Sequence, residues 1–273
     1  IVRNLTFLLI FFSLISFFSI LFILLPIFSL LLSSSPHTLM YYVADAQVMS
    51  AILVTILSAA LAAILSFIFG TPLAYILARY DFPGKYIIDS IVELPMIIPH
   101  LVAGISLLIV WGPRGLLGTV LSSQGVRITD TFFGIVIAEL FVSFPLYVRS
   151  VESAIKLIDP SLEKVSRTLG ASHGFTFYKI VLPLVKNAVF TGLIVSWARG
   201  ISEFGAVIVL TYVILYGPFS GSMPAPVLIY NEFTTRGLYS ALPITSLLVL
   251  VSLTLFIIFK IVQRRSGVYG SYS

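Results

Sequence analysis

The sequence lacks cysteine entirely, which excludes disulfides, thiolate metal sites and cysteine nucleophiles together. Charged residues are also scarce, at 10% of the 273 residues, whereas an average soluble domain has about a quarter. No segment matches the G-x-x-x-x-G-K-[ST] pattern that cradles nucleotide phosphates. The chain is therefore no ordinary cytosolic protein, and any ATP that it uses must be bound by another polypeptide.

Apolar residues are abundant instead, at 59% of the chain, and they form long runs. A bilayer core about 30 Å thick needs around 20 consecutive apolar residues per helix. We predict an all-α integral membrane protein, a single transmembrane domain over residues 1–273 with six transmembrane helices. Their expected positions are about 5–32, 50–78, 87–111, 132–148, 187–213 and 238–259. A cleaved signal peptide is disfavoured for the first run because its apolar core exceeds the usual length of about 7–15 residues.

Proline and small residues give these helices local features. Leu94-Pro95 and Pro99-His100 are expected to break the third helix near its start. Small residues recur at every fourth position in two helices, a spacing that lets another helix approach closely in a membrane. These positions are Ser58, Ala62, Ser66 and Gly70 in the second helix, and Gly192, Ser196 and Gly200 in the fifth.

The net charge of +5 does not indicate nucleic-acid binding, because no cluster of Lys and Arg with interleaved aromatics lies outside the apolar runs. The positive residues are distributed by topology instead. One set of loops and tails carries Arg3, Arg79, Lys85, Arg149, Lys156, Lys164, Arg167, Lys179, Lys186, Lys260, Arg264 and Arg265, and the other carries Arg114, Arg127 and Arg236. This asymmetry predicts a multi-pass protein of the cell membrane, surrounded by lipid, with both termini and the 149–186 stretch in the cytoplasm.

The polar stretch contains a helix signal at Asp159-Pro160, with Asp159 as the N-cap, Pro160 at the first helical position and Gly170 as the stop. Leu162, Val165 and Leu169 would share one face of this short amphipathic helix. Ser172 is placed to cap a second short helix ending at Leu182-Pro183. Two short helices at a glycine corner form a compact projection able to fit a groove in a partner, or alternatively an interfacial helix lying on lipid.

The run from Gly170 through nine residues to Ile180-Val181-Leu182-Pro183 resembles the signature loop of ABC importer permeases. That loop is described as Glu-Ala-Ala, three residues, Gly, nine residues, Ile, one residue, Leu-Pro. The glycine and everything after it match in spacing. The Glu-Ala-Ala triplet does not match, because Lys164, Val165 and Ser166 occupy its positions and Glu163 lies one residue earlier.

The resemblance implies a type I ABC importer permease fold in which residues 159–183 form a coupling loop that docks on an ATP-binding subunit. It implies a second copy of the chain, two ATP-binding cassette subunits that hold ATP and Mg, and an external binding protein. It implies no cofactor, metal or catalytic residue on this chain. The residues expected to couple to the ATPase are Leu162, Glu163, Lys164, Val165, Arg167, Thr168, Leu169, Gly170, Ala171 and Ser172.

Three further stretches, at 69–79, 94–104 and 197–206, look like molybdate/tungstate permeases, particularly archaeal ones. The implied function is a channel-forming permease subunit of an ATP-driven importer for molybdate or tungstate. Related sulfate permeases have a similar scaffold, so sulfate or another oxyanion is the alternative substrate.

Charged residues within the apolar runs should face the bundle interior or water, because a charge at bilayer depth costs at least about 2.5 kcal/mol. Arg199 and Glu203 lie four residues apart and would share a face of a continuous helix. The pair either supplies restrained positive potential to an anion pathway or neutralises itself as a packing element. Glu139 is a possible third partner. The candidate residues of the translocation pathway or gate are Pro95, Pro99, His100, Glu139, Arg199, Ser202 and Glu203.

A remote alternative is an intramembrane hydrolase, because Ser106 and Ser202 each follow a Gly-Ile pair within an apolar run. A serine nucleophile requires a base and a group that orients it. The predicted topology places His37 outside and His173 inside, which leaves His100 as the one histidine at membrane depth.

Overall fold

The computed structural model describes the backbone of residues 2–265 and the side chains of residues 8–263. The regular secondary structure of this part of the chain is helical, apart from an isolated parallel bridge between Thr131 and Tyr216. The helices are α1 (Val2–Leu32), α2 (Pro36–Ala44), α3 (Ala46–Arg79), α4 (Lys85–Ile97), α5 (His100–Trp111), α6 (Gly118–Ser123), α7 (Phe132–Leu157), α8 (Ser161–Thr168), α9 (His173–Thr176), α10 (Leu182–Leu184), α11 (Lys186–Ile201), α12 (Gly205–Leu210), α13 (Ala225–Arg236) and α14 (Leu238–Arg265), with a π-helical turn at Phe177–Val181 between α9 and α10.

Four of these helices, α1, α3, α7 and α14, are long and apolar enough to cross a membrane. Two bent pairs also qualify when each is taken as one span. The first joins α4 and α5 at 115°, and the second joins residues 173–184 to α11 at 71°. Four to six spans are therefore present by length and composition, which agrees with the predicted all-α membrane fold.

Helices α3, α7 and α11 pack against one another at the centre of the bundle. The predicted small residues of α3, Ser58, Ala62, Ser66 and Gly70, are all buried there. On α11, Gly200 lies so close to α3 that an added Cβ would be 3.0 Å from the Cβ of Ala59. The four-residue spacing of small side chains therefore marks the faces through which these helices touch, as predicted.

Gly70→Ala is expected to destabilise this centre. A Cβ at position 70 would lie 2.7 Å from Cδ1 of Tyr147, whose ring is fully buried and whose hydroxyl is 2.7 Å from that of Thr71. Overpacking of this kind costs about 1–3 kcal/mol, so the apparent melting temperature of the purified protein in detergent should fall. Gly174→Ala is the control, because a Cβ there meets no atom within 4 Å. Equal melting of the two variants would show that the α3–α7 contact is looser than described.

Several predicted boundaries are wrong. The third predicted helix, 87–111, is two helices: the predicted break at Pro99-His100 is present, but it lies in the middle of the range, and Leu94-Pro95 does not interrupt α4. The fourth continues from the predicted end at 148 to Leu157. The fifth, predicted as continuous over 187–213, ends at Ile201 and is followed by α12. The connection predicted for 214–236 contains the 12-residue helix α13.

Candidate functional site

Residues 159–183 follow α7 and contact the end of α3 through Tyr75 and Arg79. We call them the 159–183 segment; they form two short helices and a π-helical turn. Helix α8 begins at Ser161 rather than at the predicted Pro160, and the carboxylate of Asp159 accepts a hydrogen bond from the Ser161 amide at 2.8 Å. This backbone N–H holds the pKa of Asp159 below its usual value. Asp159 therefore still satisfies an amide at the start of the helix, one residue later than predicted.

The corner after α8 depends on Gly170, which has a φ of +90°. Residues with a Cβ rarely adopt this left-handed conformation. The hydroxyls of Ser166 and Thr176 lie 3.0 Å apart and tie α8 to α9, while the Ser172 side chain caps α9 by accepting from the Phe175 amide. The predicted glycine stop and serine cap are both present.

Helix α8 exposes its apolar side chains and buries two of its polar ones. Leu162, Val165 and Leu169 are 47%, 56% and 83% exposed, and they border a groove of about 880 Å³. Glu163 and Ser166, by contrast, are buried against the rest of the chain. An amphipathic helix packed only within its own chain would bury its apolar face, so the exposed leucines are available to another surface. The other predicted coupling residues Lys164, Arg167, Thr168, Gly170 and Ser172 are exposed, and Ala171 is half-buried.

Glu163 contacts two residues for which the sequence had suggested no role. Its carboxylate accepts hydrogen bonds from the Tyr75 hydroxyl at 2.6 Å and from Arg79 Nε at 2.5 Å. Tyr75 and Arg79 lie one helical turn apart at the end of α3, and this i, i+4 spacing was the available signal.

A second ion-pair network lies between α4 and α7 and was also missed. The guanidinium of Arg149 contacts Asp89 at 2.7 Å and Glu93 at 3.0 Å, and it also pairs with Glu152. Lys156 completes the network by pairing with Glu152 at 2.6 Å. The spacing of Arg149, Glu152 and Lys156 along one helix face was the sequence signal for it.

The polar candidates of the apolar runs meet where α11 ends and α5 begins. Arg199 Nη2 lies 3.0 Å from Glu203 Oε2 and 2.8 Å from His100 Nε2, and Arg199 Nη1 donates to the Ser202 hydroxyl at 3.1 Å. The second carboxylate oxygen of Glu203 accepts from the Ala206 amide at 2.8 Å. The pair therefore forms as predicted, but across the break between α11 and α12 rather than along a continuous helix.

Glu203 is 2% exposed, whereas the Arg199 side chain keeps a quarter of its surface open. Pro99, His100, Arg199, Ser202 and Glu203 line a cavity of about 400 Å³. A largely neutralised ion pair with one open side can meet a passing anion without holding it tightly.

Glu139 and Pro95 lie outside this cluster. Glu139 on α7 is buried and accepts a hydrogen bond from Ser58 at 2.9 Å, so it joins α7 to α3 rather than to Arg199. Pro95 lies in the last turn of α4, before the break.

The two serines considered for the hydrolase alternative donate hydrogen bonds to nearby backbone carbonyls. Ser106 donates to the carbonyl of Val102, and Ser202 donates to the carbonyl of Arg199. His100 bonds to Arg199 and Glu203, an arrangement that does not activate either hydroxyl.

The sequence is similar to known proteins over most of its length. Residues 70–268 match the family described as binding-protein-dependent transport system inner membrane component. The chain is 40% identical over 248 residues to the molybdate/tungstate transport system permease protein WtpB of Methanocaldococcus jannaschii, covering 90% of this chain and 93% of that protein. It is 35% identical over 249 residues to a probable sulfate transport system permease protein cysT of Nephroselmis olivacea, covering 88% and 84%.

The fold has a close counterpart among solved structures. A chain of a bacterial ABC transporter involved in the import of the acidic polysaccharide alginate superposes with a TM-score of 0.74 at 19% identity, covering 95% of this chain and 96% of that one. The family match contains α8, the glycine corner at 170 and the cluster around Arg199. The chain is thus a multi-pass membrane protein that belongs to the inner membrane component family of binding-protein-dependent transport systems.

Proposed function

We propose that this chain is the channel-forming permease subunit of an ATP-driven importer for molybdate or tungstate. The observation that carries the proposal is the exposed apolar surface of α8, where Leu162, Val165 and Leu169 lie open beside a groove while Glu163 and Ser166 are buried against the rest of the chain. A membrane bundle that projects such a helix presents a docking surface to a second protein. We assign this surface to an ATP-binding cassette subunit, because the sequence has no nucleotide-binding motif of its own.

The proposed assembly has two copies of this chain, two ATP-binding subunits and an external anion-binding protein. The excess of Lys and Arg in the loops that adjoin the 159–183 segment supports a cytoplasmic position for that segment and for both termini. The cavity beside Arg199 is proposed to line the anion pathway between two membrane faces. ATP binding would draw the docked segments together and expose this pathway to the outside, and hydrolysis would reset it.

The choice of molybdate or tungstate is supported by relatives that carry those names at 34–40% identity. Sulfate is the second candidate, supported by relatives named as sulfate permeases at 32–35% identity. The two substrate classes share tetrahedral geometry and charge.

Transport measurements distinguish these possibilities. We would reconstitute the chain with its ATP-binding subunit in liposomes and add binding protein loaded with molybdate, tungstate or sulfate. Stimulated ATP hydrolysis together with ATP-dependent uptake of molybdate or tungstate is the expected result. Uptake of sulfate alone would move the assignment to the second candidate, and an ATPase that never associates would refute the importer function.

A further inference from the structure

The end of α3 holds the 159–183 segment through one carboxylate. The Tyr75 hydroxyl and Arg79 Nε each donate to a different oxygen of Glu163, at 2.6 Å and 2.5 Å. The side chains of Arg79 and Glu163 are only 9% and 8% exposed. We call Tyr75, Arg79 and Glu163 the α3 clamp.

Two further contacts extend the clamp to both sides of α8. Arg79 Nη2 donates to the carbonyl of Ile158, the residue that follows α7, at 3.0 Å. The ring of Tyr75 meets the ring of Phe177 edge-on, with centroids 5.1 Å apart. The last turn of α3 therefore touches the segment before α8, within α8 and after α9.

The clamp and the proposed docking surface occupy different faces of α8. Leu162, Val165 and Leu169 face outward, while Glu163 faces α3. A force applied by a docked subunit to the outer face therefore reaches α3 through Glu163. A charge-assisted, largely desolvated contact of this kind is stiffer than an exposed one.

Helix α3 in turn reaches the polar cluster at the far side of the bundle. It is one 34-residue helix. Its Ser58 bonds to Glu139 at 2.9 Å, and its Ala59 lies directly against Gly200, next to Arg199. Energetic coupling between distant sites is carried by such rigid elements and their packed contacts.

We propose that Glu163 is a positioning residue for transport, which joins the 159–183 segment to α3 so that the two move as one rigid unit. This role rests on the proposed function, because it assumes that an ATPase moves the segment. In the absence of the clamp, the docked segment would pivot at residues 158–160, and ATP hydrolysis would continue without moving α3. Glu163 is thus assigned to contacts within this chain, and not to the ATPase surface.

The test is a double-mutant cycle in the complete complex with Glu163→Gln, Arg79→Gln and the pair combined. Each variant is expected to keep the ATPase bound and hydrolysing, while the anion transported per ATP falls roughly tenfold, as for loss of a typical coupling free energy. The combined variant should be no worse than either single one. The charge-swapped pair Glu163→Arg with Arg79→Glu should recover part of the lost coupling, and Tyr75→Phe, which keeps the ion pair, should lose less than Glu163→Gln.

A structural readout accompanies the cycle, and the absence of native cysteine makes it direct. Spin labels at Ile76→Cys on α3 and Thr168→Cys on α8 should report a narrow distance distribution in the otherwise unchanged chain and a broader one with Glu163→Gln. An unchanged distribution, or normal anion transport per ATP in Glu163→Gln, would overturn the clamp. Loss of ATPase binding in Glu163→Gln would overturn it too, because Glu163 would then contact the ATPase.

The unmutated chain shows whether the proposed function or only the clamp is wrong. An unmutated chain that binds no ATPase and imports no anion overturns the proposed function, and the clamp's transport role with it. Failure of the clamp alone leaves the unmutated chain fully coupled.

Discussion

ATP-driven uptake is expected to fall to background when Leu162→Asp and Leu169→Asp are combined. Burial of each leucine at an interface is worth about 1.5–3 kcal/mol, and both side chains are open to a partner, at 47% and 83% exposure. Loss of the burial free energy of both leucines should weaken binding of the ATPase by about 100-fold or more, since about 1.4 kcal/mol corresponds to tenfold in affinity. The ATP-binding subunit should therefore no longer copurify with the permease.

The fold of the segment should survive this change, because α8 is held from its other side by Glu163 and Ser166. Ser161→Asp is the matched control, since it adds the same charge to an exposed position at the start of the same helix, where a negative charge is tolerated. Copurification should be normal in this control. If the double variant retains its ATPase, or the control loses it, the outward face of α8 is not the docking surface.

The long spans were predictable from hydropathy, since a membrane helix cannot be made without its apolar run. The predicted ranges for α3 and α14 start within four residues of the observed ones. Helix α7 exceeded its prediction because hydropathy ends at Arg149, whereas the helix continues to Leu157. Its later charges pair with one another, including the buried Glu152, and Val151 and Ile155 are buried beside them.

The short and broken helices were harder to predict because their signals are local. Helix α2 begins at a serine cap followed by proline, and α13 begins after Pro224 and ends at Gly237 with a φ of +86°. Both patterns are ordinary helix boundaries, but they lie in stretches too short or too polar to span a membrane. At the break after α11, the carboxylate of Glu203 accepts a hydrogen bond from the Ala206 amide in the first turn of α12. Hydropathy does not predict such a contact, because it averages over the apolar residues around Glu203.

For the candidate sites too, the local pattern was predictable and the long-range contacts were not. The amphipathic pattern of α8 predicted its two faces, but not that the apolar face would point outward. That orientation depends on Tyr75 and Arg79 of α3, which precede Glu163 by 88 and 84 residues. Likewise, Arg199 and Glu203 were paired by their spacing, whereas His100 joins them through a contact between residues 99 positions apart. Local periodicity predicts which side chains share a face, and tertiary contact decides what that face meets.

Arg199→Gln is expected to destabilise the protein by up to about 3 kcal/mol, near the lower end of the range for breaking a buried ion pair, because the Arg199 side chain remains a quarter exposed. The variant leaves the carboxylate of Glu203, itself 2% exposed, without its cation. The apparent melting temperature in detergent measures the loss. Arg236→Gln is the control, since Arg236 also pairs with a glutamate four residues away but is 71% exposed, and such pairs contribute only about 0.3–0.5 kcal/mol.

Arg199→Lys separates the two roles left open for this pair. A lysine keeps the positive potential offered to an anion, but its single ammonium cannot replace the two guanidinium nitrogens that reach Ser202, His100 and Glu203 together. If Arg199 acts mainly as a packing element, Arg199→Lys should melt nearly as early as Arg199→Gln. If it acts mainly through its charge on the pathway, Arg199→Lys should restore anion uptake that Arg199→Gln loses, at equal amounts of assembled complex. We expect the packing role, and hence early melting of Arg199→Lys. The charge of Arg199 is already paired with Glu203, which accepts from Arg199 with one carboxylate oxygen and from the Ala206 amide with the other.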